Sequence, residues 1–343
     1  MRSRRLRALV LPVAMAAAVC TALRVGAART SAPTFSSGQN IAPAYEGWER
    51  NEDGSFNLVF GYLNRNWDEA IHLPAGPNNR LEPKGPDRGQ PTYFLPRRNF
   101  FVFRVRVPAD FGEREVVWTL TSHGRTERAF ATLRPGYALN DDVMTATLGA
   151  VGPGVTTAEV SRLNRTPALD IEPAEAKAAR VGEPLLLTAH ARDDGHPVPM
   201  RIAPFAGSPV SSALGTLHSV AGLRVAWFVY QGVGEHVTFD PPQFKVYVDT
   251  RGGSPWAPGW TIPPVPADNR WNVSVTFDRP GTYVLRCIAH DGALATHRDV
   301  TVTVTGAVGW AGSSLPGRFP SESQNRGSSD DGAVPPAATT YSN

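Results

Sequence analysis

The chain has 343 residues, of which 41% are hydrophobic and 19% charged, and its formal net charge is +3. It contains no run of Lys and Arg interleaved with aromatic residues, so the electrostatic footprint of a nucleic-acid-binding protein is missing. The length suggests about two domains, each large enough to bury an ordinary core.

The first 28 residues have the pattern of a secretory signal peptide. Four arginines precede an apolar run over 8–23, and the small residues Gly26, Ala27 and Ala28 follow it. The apolar run is shorter than the roughly 20 residues that a membrane-spanning helix needs. We therefore predict cleavage near Ala28, export to the periplasm or the extracellular space, and no membrane span after cleavage.

Removal of residues 1–28 changes both the charge and the thiol content. This segment holds five arginines and no acidic residue, so the net charge falls from +3 to −2. It also holds Cys20, which leaves Cys287 without a partner for an intramolecular disulfide. We interpret Cys287 as a buried free thiol, with a reactive or intermolecular thiol as the alternative. Acylation of Cys20 and a twin-arginine signal around Arg4 and Arg5 are further alternatives for the leader.

Residues 29–43 are small and polar and predict a flexible lead-in. Residues 44–139 then show the alternation of apolar and polar side chains that is typical of antiparallel β-structure. The alternating segments are 56–63, 101–107, 116–120 and 128–133. Asp53-Gly54 and Ser122-His123-Gly124 are turn sequences between them. We predict an N-terminal antiparallel β domain over 44–139.

Three segments lack a defensible period. The connection 71–98 is long and dense in Gly and Pro, and such loops are usually functional or disordered. Residues 140–182 have a mixed composition, and we predict a linker with a short helix at 174–179. Residues 307–343 are poor in large apolar side chains and rich in Gly, Ser and Pro, so we predict a disordered tail.

The clearest periodicity lies in 183–306. The residues that share strand faces are Leu185, Leu187, Ala189 and Ala191; Leu223, Val225, Trp227 and Val229; Phe244, Val246 and Val248; Trp271, Val273, Val275 and Phe277; Tyr283, Leu285, Cys287 and Ala289; and Val300, Val302 and Val304. Six or seven such strands predict an immunoglobulin-like β-sandwich. In it Cys287 points inward near Trp227, opposite a wet face with Arg286 and His290. The predicted fold class is all-β, with two immunoglobulin-like or related antiparallel β-sandwich domains.

The stretch PGTYVLRCIAHDG at 280–292 resembles the penultimate strand of polycystic-kidney-disease-type (PKD) and related bacterial immunoglobulin-like modules, where P-G-x-Y precedes alternating apolar residues and D-G. GEPLLLTAHARDDG at 182–195 resembles an early strand of these modules, and 300–304 resembles the last. The resemblance implies a β-sandwich domain. In that family the position of Cys287 is simply apolar. The insertion 196–222 and the stretch 250–270 depart from a minimal module. The stretch 45–66 separately resembles exported bacterial proteins of uncharacterised function, which implies nothing about activity.

Linear motifs of catalysis are missing from the sequence. It has no H-E-x-x-H, no paired cysteine ligands, no G-x-S-x-G and no phosphate-binding glycine loop. We therefore predict a non-catalytic protein. The alternative is a carbohydrate-binding or hydrolytic protein with a motif-less site in the N-terminal domain, for example with His72, Glu82 and Asp87 on the long connection.

One candidate metal site lies in the second domain. Asp193, Asp194 and Asp291 follow two strands whose ends a sandwich can bring together, and carboxylate oxygens are ligands that Ca²⁺ prefers. The same Asp-Asp-Gly and Asp-Gly sequences are ordinary turn formers, whose carboxylates accept local backbone N–H bonds. Calcium is the one cofactor that the sequence suggests.

Aromatic residues of the first domain suggest a ligand site. Trp48, Tyr62, Trp67 and Tyr93 are candidates for stacking on sugar faces, although aromatic residues in β-proteins more often pack within sheets. We predict an exported binding or scaffolding protein whose partner is a protein or glycan of the cell envelope.

Overall fold

A computed structural model describes residues 34–83, 85, 87–148, 163–172, 177–198, 221–257 and 260–306. The predicted leader (1–28), the disordered tail (307–343) and most of the insertion 196–222 lie outside the described residues.

The first β-sandwich is built from eight strands within the described residues. They are β1 (Ile41–Arg50), β2 (Phe56–Asn64), β3 (Ile71–His72), β4 (Asn79–Glu82), β5 (Tyr93–Phe94), β6 (Arg97–Val107), β7 (Val116–Ser122) and β8 (Arg125–Ala131). One sheet has the order β1-β2-β6 and the facing sheet β4-β7-β8, while β3 and β5 pair separately. Apolar side chains of both sheets meet in one core, where the Trp118 ring contacts those of Phe60 and Phe103.

Both predicted turns of this domain are present. Asp53 Oδ1 accepts the Ser55 backbone N–H at 3.1 Å in the turn between β1 and β2. His123 and Gly124 form a two-residue connection between β7 and β8, with φ of 46° and 72°. Positive φ at both central positions suits the twist of a tight hairpin, and glycine adopts it without a steric penalty.

A short helix, α1 (Asp141–Leu148), follows the first sandwich. The Asn140 side chain accepts the Val143 backbone N–H at 3.0 Å and so caps its first turn. Two aspartates in that turn favour the positive end of the helix dipole.

The second β-sandwich also has eight strands within the described residues. They are β9 (Ala168–Glu172), β10 (Lys177–Arg180), β11 (Leu185–Arg192), β12 (Arg224–Gln231), β13 (Val237–Asp240), β14 (Arg270–Phe277), β15 (Gly281–His290) and β16 (Ala295–Thr305). The sheets have the orders β9-β11-β14-β13 and β10-β16-β15-β12, and β10 runs parallel to β16. This is the immunoglobulin arrangement, with strands ABED in one sheet and CFG in the other. The predicted all-β fold class is confirmed.

The core of the second sandwich confirms the predicted register of β15. Cys287 is fully buried between the sheets and lies directly opposite Trp227 on β12. Tyr283, four residues earlier, donates its hydroxyl to the Arg279 carbonyl oxygen at 3.1 Å. An immunoglobulin domain places its corner tyrosine two residues before the cysteine and uses the same kind of backward hydrogen bond.

The structure differs from the sequence prediction in several segments. The predicted linker 140–182 contains α1 and two strands of the second sandwich, β9 and β10. Residues 177–180 form a strand instead of the end of the helix predicted at 174–179, because they pair with β16; residues 173–176 lie outside the described part. The segment 244–248, which was predicted to be a strand, is an irregular connection.

The start of the first domain also differs. β1 begins at Ile41, inside the predicted lead-in 29–43. The backbone carbonyl oxygens of Phe35 and Ser36 accept hydrogen bonds from the backbone of Trp67 and Asp68, at 2.9 and 3.0 Å. Residues 34–43 are therefore tied to the sandwich, and 29–33 lie outside the described residues.

Candidate functional site

The outer face of β15 is covered by the first sandwich. The sequence predicted that Arg286 and His290 line a wet face, but both are buried. Tyr230 of β12 belongs to the core of the first sandwich, and Phe228 and Val284 pack against that core. The prediction of a wet face was wrong because this face is the contact surface between the two sandwiches, which we call the junction.

Arg286 is the central charged group of the junction. Its side chain is 6% exposed, and its Nε and Nη2 donate to the Asp299 carboxylate at 2.7 and 2.8 Å. Nη1 donates to the backbone carbonyl oxygen of Val102 in the first sandwich. The guanidinium carbon lies 3.5 Å from the centroid of the Tyr230 ring. Burial is the largest single effect and disfavours the charge, but the hydrogen bonds and charges of Asp299 and Tyr230 together raise the pKa of Arg286.

The long connection 71–98 supplies a second set of junction contacts. Tyr230 donates its hydroxyl to the Gly89 carbonyl oxygen, and its own carbonyl oxygen accepts the Thr92 backbone N–H at 3.1 Å. The Gln231 amide donates to the Gln90 carbonyl oxygen at 2.8 Å. Gly232 donates its backbone N–H to Thr92 Oγ1 at 2.9 Å. The connection therefore serves as an ordered strap that hydrogen-bonds to the end of β12.

An irregularity in β6 shapes the same junction. The pairing of β2 with β6 slips near Gly61, and Phe101 has a φ of 52°, which is unusual for a residue with a side chain. Gly61 faces the Glu46 carboxylate and the Asn99 backbone so closely that a Cβ would overlap them. Glu46 in turn accepts two hydrogen bonds from Arg98, at 2.7 and 2.9 Å. This arrangement holds the displaced stretch of β6 against the second sandwich.

Among the described residues, the junction contains small cavities, two of which have volumes of about 70 and 80 Å³. Phe100, Phe101, Val246, Ile288 and His297 line both of them. Burial lowers the pKa of His297 to about 4, so this side chain is uncharged at neutral pH. Each cavity has room for a few water molecules, whereas small-molecule sites typically have about 300–1,000 Å³. The junction thus acts as a packed contact.

Trp67 lies in a charged cluster at the edge of the junction. The guanidinium carbons of Arg97 and Arg251 are 4.0 and 4.6 Å from the centroid of its ring. Arg251 pairs with Asp68 and Asp249, both at 2.8 Å. Although burial opposes it, the hydrogen bond from Arg251 is the strongest of the contacts that lower the pKa of Asp249. The Trp67 ring is therefore engaged by two cations of this chain.

The other three predicted ligand-binding aromatics lie apart from one another or inside the fold. Trp48 donates its ring N–H to the Arg134 carbonyl oxygen at 2.9 Å. Tyr62 is buried and, like Tyr93, lines a junction cavity. Tyr93 packs over Gly234 of the second sandwich, and burial raises its pKa to about 12. The structure brings together only Tyr62 and Tyr93, as junction residues.

The three residues suggested for a motif-less hydrolytic site also have separate surroundings. Glu82 is exposed and pairs with Arg80 at 3.4 Å, and Asp87 accepts the Gly89 backbone N–H at 3.0 Å. Burial lowers the pKa of His72, and a charge on Glu235 opposes that shift. Their distinct contacts give no common acid–base arrangement for these three side chains.

The three predicted calcium ligands are only partly grouped. Both oxygens of Asp194 accept backbone N–H groups, from Arg165 at 2.7 Å and from His196 at 2.9 Å. Asp193 and Asp291 interact with each other, since the Asp193 charge contributes to a raised pKa of Asp291. Among the described residues, no three His, Cys, Asp or Glu side chains group closely enough to hold a metal ion.

Cys287 is a free thiol in the apolar core. Burial, and secondarily the charge of Asp299, raises its pKa above that of an ordinary thiol. The thiolate is the reactive form of cysteine, so the core keeps Cys287 in its unreactive state.

The sequence did not indicate that Arg286, Tyr230 and the strap residues Gln90 and Thr92 form a contact between two sandwiches. A polar residue on the outer face of a strand gives the same sequence pattern whether it contacts water or a second domain, so the pattern does not distinguish the two. One usable signal is Arg286 itself, a cation on a central strand next to an aromatic residue of the neighbouring strand.

Comparison with known proteins leaves the family open. No protein-family model and no curated protein matches the chain. Similar solved structures include a chimeric titin Z1Z2 with a decorin peptide, at 12% identity and a TM-score of 0.22 over 41% of this chain and 96% of that one. The D00-D0 domain of intimin has 11% identity and a TM-score of 0.22 over 78% of this chain and all of that one. Domains 1–6 of the surface-layer protein SbsC have 9% identity and a TM-score of 0.22, over 81% of this chain and 29% of theirs.

These low TM-scores carry no weight, so the fold assignment rests on the strand order and pairing of this chain. In the part of the chain that the structure describes, none of the helices has the length and apolar character needed to cross a membrane.

Proposed function

We propose that this chain is an exported, non-catalytic binding or scaffolding protein of the cell envelope or extracellular space, in which two immunoglobulin-like sandwiches are fixed against each other. The observation that carries the proposal is the use made of the connection 71–98. Its backbone hydrogen-bonds to Tyr230 and Gln231 of the second sandwich. A segment long enough to form an active-site loop therefore serves to join the two sandwiches.

The chemistry of the junction supports a fixed geometry over a hinge. Arg286 is desolvated and bonded at once to Asp299 and to Val102 of the other sandwich. Opening the junction would strip the buried guanidinium of one partner and expose apolar surface, both of which cost free energy. A fixed pair of modules suits a protein that holds a partner at a set distance from its own attachment.

Export is tested first, by mass spectrometry of the native protein from each cell fraction. We expect an N-terminus near Arg29 and no attached lipid. An intact Met1 in the cytoplasmic fraction would contradict the compartment and with it the proposed role.

Binding is tested by crosslinking the tagged protein in the envelope fraction of its source organism. The same partner protein or glycan should be recovered with the wild type and with an Arg298→Ala variant, which alters an exposed charge next to the junction. Arg286→Ala should reduce recovery if function needs the fixed junction. Hydrolysis of an envelope polymer, lost in a His72→Ala variant, would instead support the hydrolytic alternative.

A further inference from the structure

Unpaired polar atoms are concentrated at one end of the second sandwich, where the loops after β11 and β15 meet the segment before β9. Among the described residues, ten buried side-chain nitrogen and oxygen atoms have no hydrogen-bond partner. Four of them belong to Asn164, Asp193 and Asp291, which we call the polar end. An unpaired buried polar group is costly, so three such side chains in one place point to a bound ligand.

Each carboxylate of the polar end has one oxygen engaged and one free. Asp193 Oδ2 accepts the Gly195 backbone N–H at 3.0 Å, while its Oδ1 has no partner. Asp291 Oδ1 accepts the backbone N–H groups of Ala293 and Leu294 at 2.6 and 2.7 Å, while its Oδ2 has none. Asp291 is fully buried. The engaged oxygens fix both carboxylates, and the free ones are left as ligand atoms.

Asn164 is the third side chain of the polar end, and its amide faces Asp291. Its side chain is only 4% exposed, and neither atom of its amide has a partner with hydrogen-bond geometry. The amide is close enough to Asp291 to lower the pKa of that carboxyl. Sequence reasoning passed over Asn164, because it precedes β9 in a segment without periodicity.

The electrostatics of the polar end favour a cation. Burial raises the pKa of Asp291 to about 6, and the charge of Asp193 adds to this effect. Burial also raises the pKa of Asp193. Burial lowers the pKa of Arg224 to about 10, and the charge of Asp291 opposes that shift; the Arg224 Nη2 lies 3.4 Å from His290 Nδ1. Asp193 and Asp291 therefore repel each other, and a bound cation would relieve that repulsion.

We propose that the polar end binds a calcium ion through Asp193 Oδ1, Asp291 Oδ2 and the side-chain oxygen of Asn164, with water molecules completing the shell. Calcium accepts six to eight oxygen ligands in flexible geometry, whereas magnesium demands a near-ideal octahedron and gives up its water reluctantly. With only three protein side chains, the affinity should fall in the range of about 10⁻⁴–10⁻³ M that is typical of extracellular modules. Asp194 is outside this ligand set, because the backbone occupies both of its oxygens.

The test is thermal unfolding of the full chain in chelator, in about 10 mM Ca²⁺ and in the same concentration of Mg²⁺, with calorimetric titration of Ca²⁺. Ca²⁺ alone should raise the melting temperature, by roughly 2–4 °C for an affinity of this order. Asp193→Asn and Asp291→Asn should lose the shift. In chelator both variants should melt at or above the wild-type temperature, because the repulsion between the two carboxylates is gone.

Asp170→Asn is the matched control, since it removes an exposed carboxylate of the same sandwich but no proposed ligand, and its calcium shift should persist. If Asp291→Asn does not fold, Asp193→Asn still decides the question. Equal shifts with Mg²⁺, no saturable heat with Ca²⁺, or a full shift in Asp193→Asn would each overturn the proposal. Absence of any shift in all proteins would mean that the polar end holds an ordered water only.

Discussion

The two faces of strand β15 are both covered but differ in what covers them. The inner face, with Leu285, Cys287 and Ala289, packs against the opposite sheet of its own sandwich. The outer face, with Arg286 and Ile288, packs against another sandwich. The inner face is closed by apolar contact alone, while the outer face combines aromatic packing with a buried, bonded cation. The difference shows that burial between modules tolerates charge when the hydrogen bonds of the charged group are satisfied.

The largest effect on folding is expected from a charge placed on the inner face of β15. Cys287→Asp would bury a carboxylate with no partner among apolar side chains, and it should prevent the second sandwich from folding. Circular dichroism and the yield of soluble protein measure the outcome. Cys287→Val, which keeps volume and polarity similar, should cost less than about 1.5 kcal/mol. A folded Cys287→Asp protein would mean that this side chain reaches solvent and that the register of β15 is shifted.

On the outer face, the largest effect is expected from Arg286→Ala. Loss of one partner of a buried ion pair typically costs about 3–5 kcal/mol, and we expect the low end because Asp299 keeps 34% of its side chain exposed. Urea unfolding should show that cost and a separation into two transitions. Limited proteolysis should then cut between the sandwiches, in the segment 140–167 before β9, more readily than in the wild type.

The control for this variant is Arg298→Ala, which removes an exposed charge from the neighbouring strand β16 and should change stability by no more than about 0.5 kcal/mol. Equal stability of the Arg286→Ala variant and the wild type would show that the junction opens freely in solution.

The thiol of the inner face should make the free energy of unfolding depend on pH. Burial raises the pKa of Cys287, so the folded chain keeps a proton that the unfolded chain loses above about pH 8.5. The free energy of unfolding therefore keeps its full value below that pH and falls as the pH rises toward the folded-state pKa of Cys287. The loss is about 1.4 kcal/mol per pH unit, or about 2 kcal/mol at pH 10.

The measurement compares the free energy of unfolding of the wild type and Cys287→Val at pH 8 and at pH 10. Tyrosines that also titrate are common to both proteins, so the difference isolates the thiol. The same slope in both proteins would indicate that Cys287 ionises freely in the folded state, and rapid alkylation of the native protein should then accompany it.

The smallest expected effect concerns the strap. Tyr230→Phe removes the hydroxyl that bonds to the Gly89 carbonyl oxygen but keeps the ring under Arg286, so it should cost about 1 kcal/mol. Thermal unfolding measures it, with Tyr137→Phe as a control at an exposed tyrosine. A cost as large as that of Arg286→Ala would show that the hydrogen bond to the strap stabilises the junction as much as Arg286 does.

The sequence predicted those parts of the fold in which one side chain determines one environment. Alternation around Cys287 predicted its inward orientation and its position near Trp227, because a strand has a period of two residues. Alternation could not distinguish water from a second module as the neighbour of Arg286. The short strand at 177–180 was missed because it lies at a sheet edge and pairs in parallel with β16, far along the chain.

The candidate sites were predicted less well than the fold. Their positions at strand ends made Asp193, Asp194 and Asp291 candidates, and the backbone hydrogen bonds of Asp194 exclude it from the calcium site that we propose. Asn164 became apparent only in three dimensions. The aromatic residues Tyr62 and Tyr93 have the composition of a sugar platform, yet their environment is the contact between two modules.

The close approach at Gly61 has a consequence for recognising distant relatives of this chain. Any larger residue there would displace the Glu46 carboxylate, which would release Arg98 and the displaced stretch of β6 that ends near Phe101. These positions are therefore expected to vary as a set during evolution. A glycine in the second strand, with a glutamate in the first and an arginine at the start of the sixth, is a short signature with which to search for homologues when overall identity is too low.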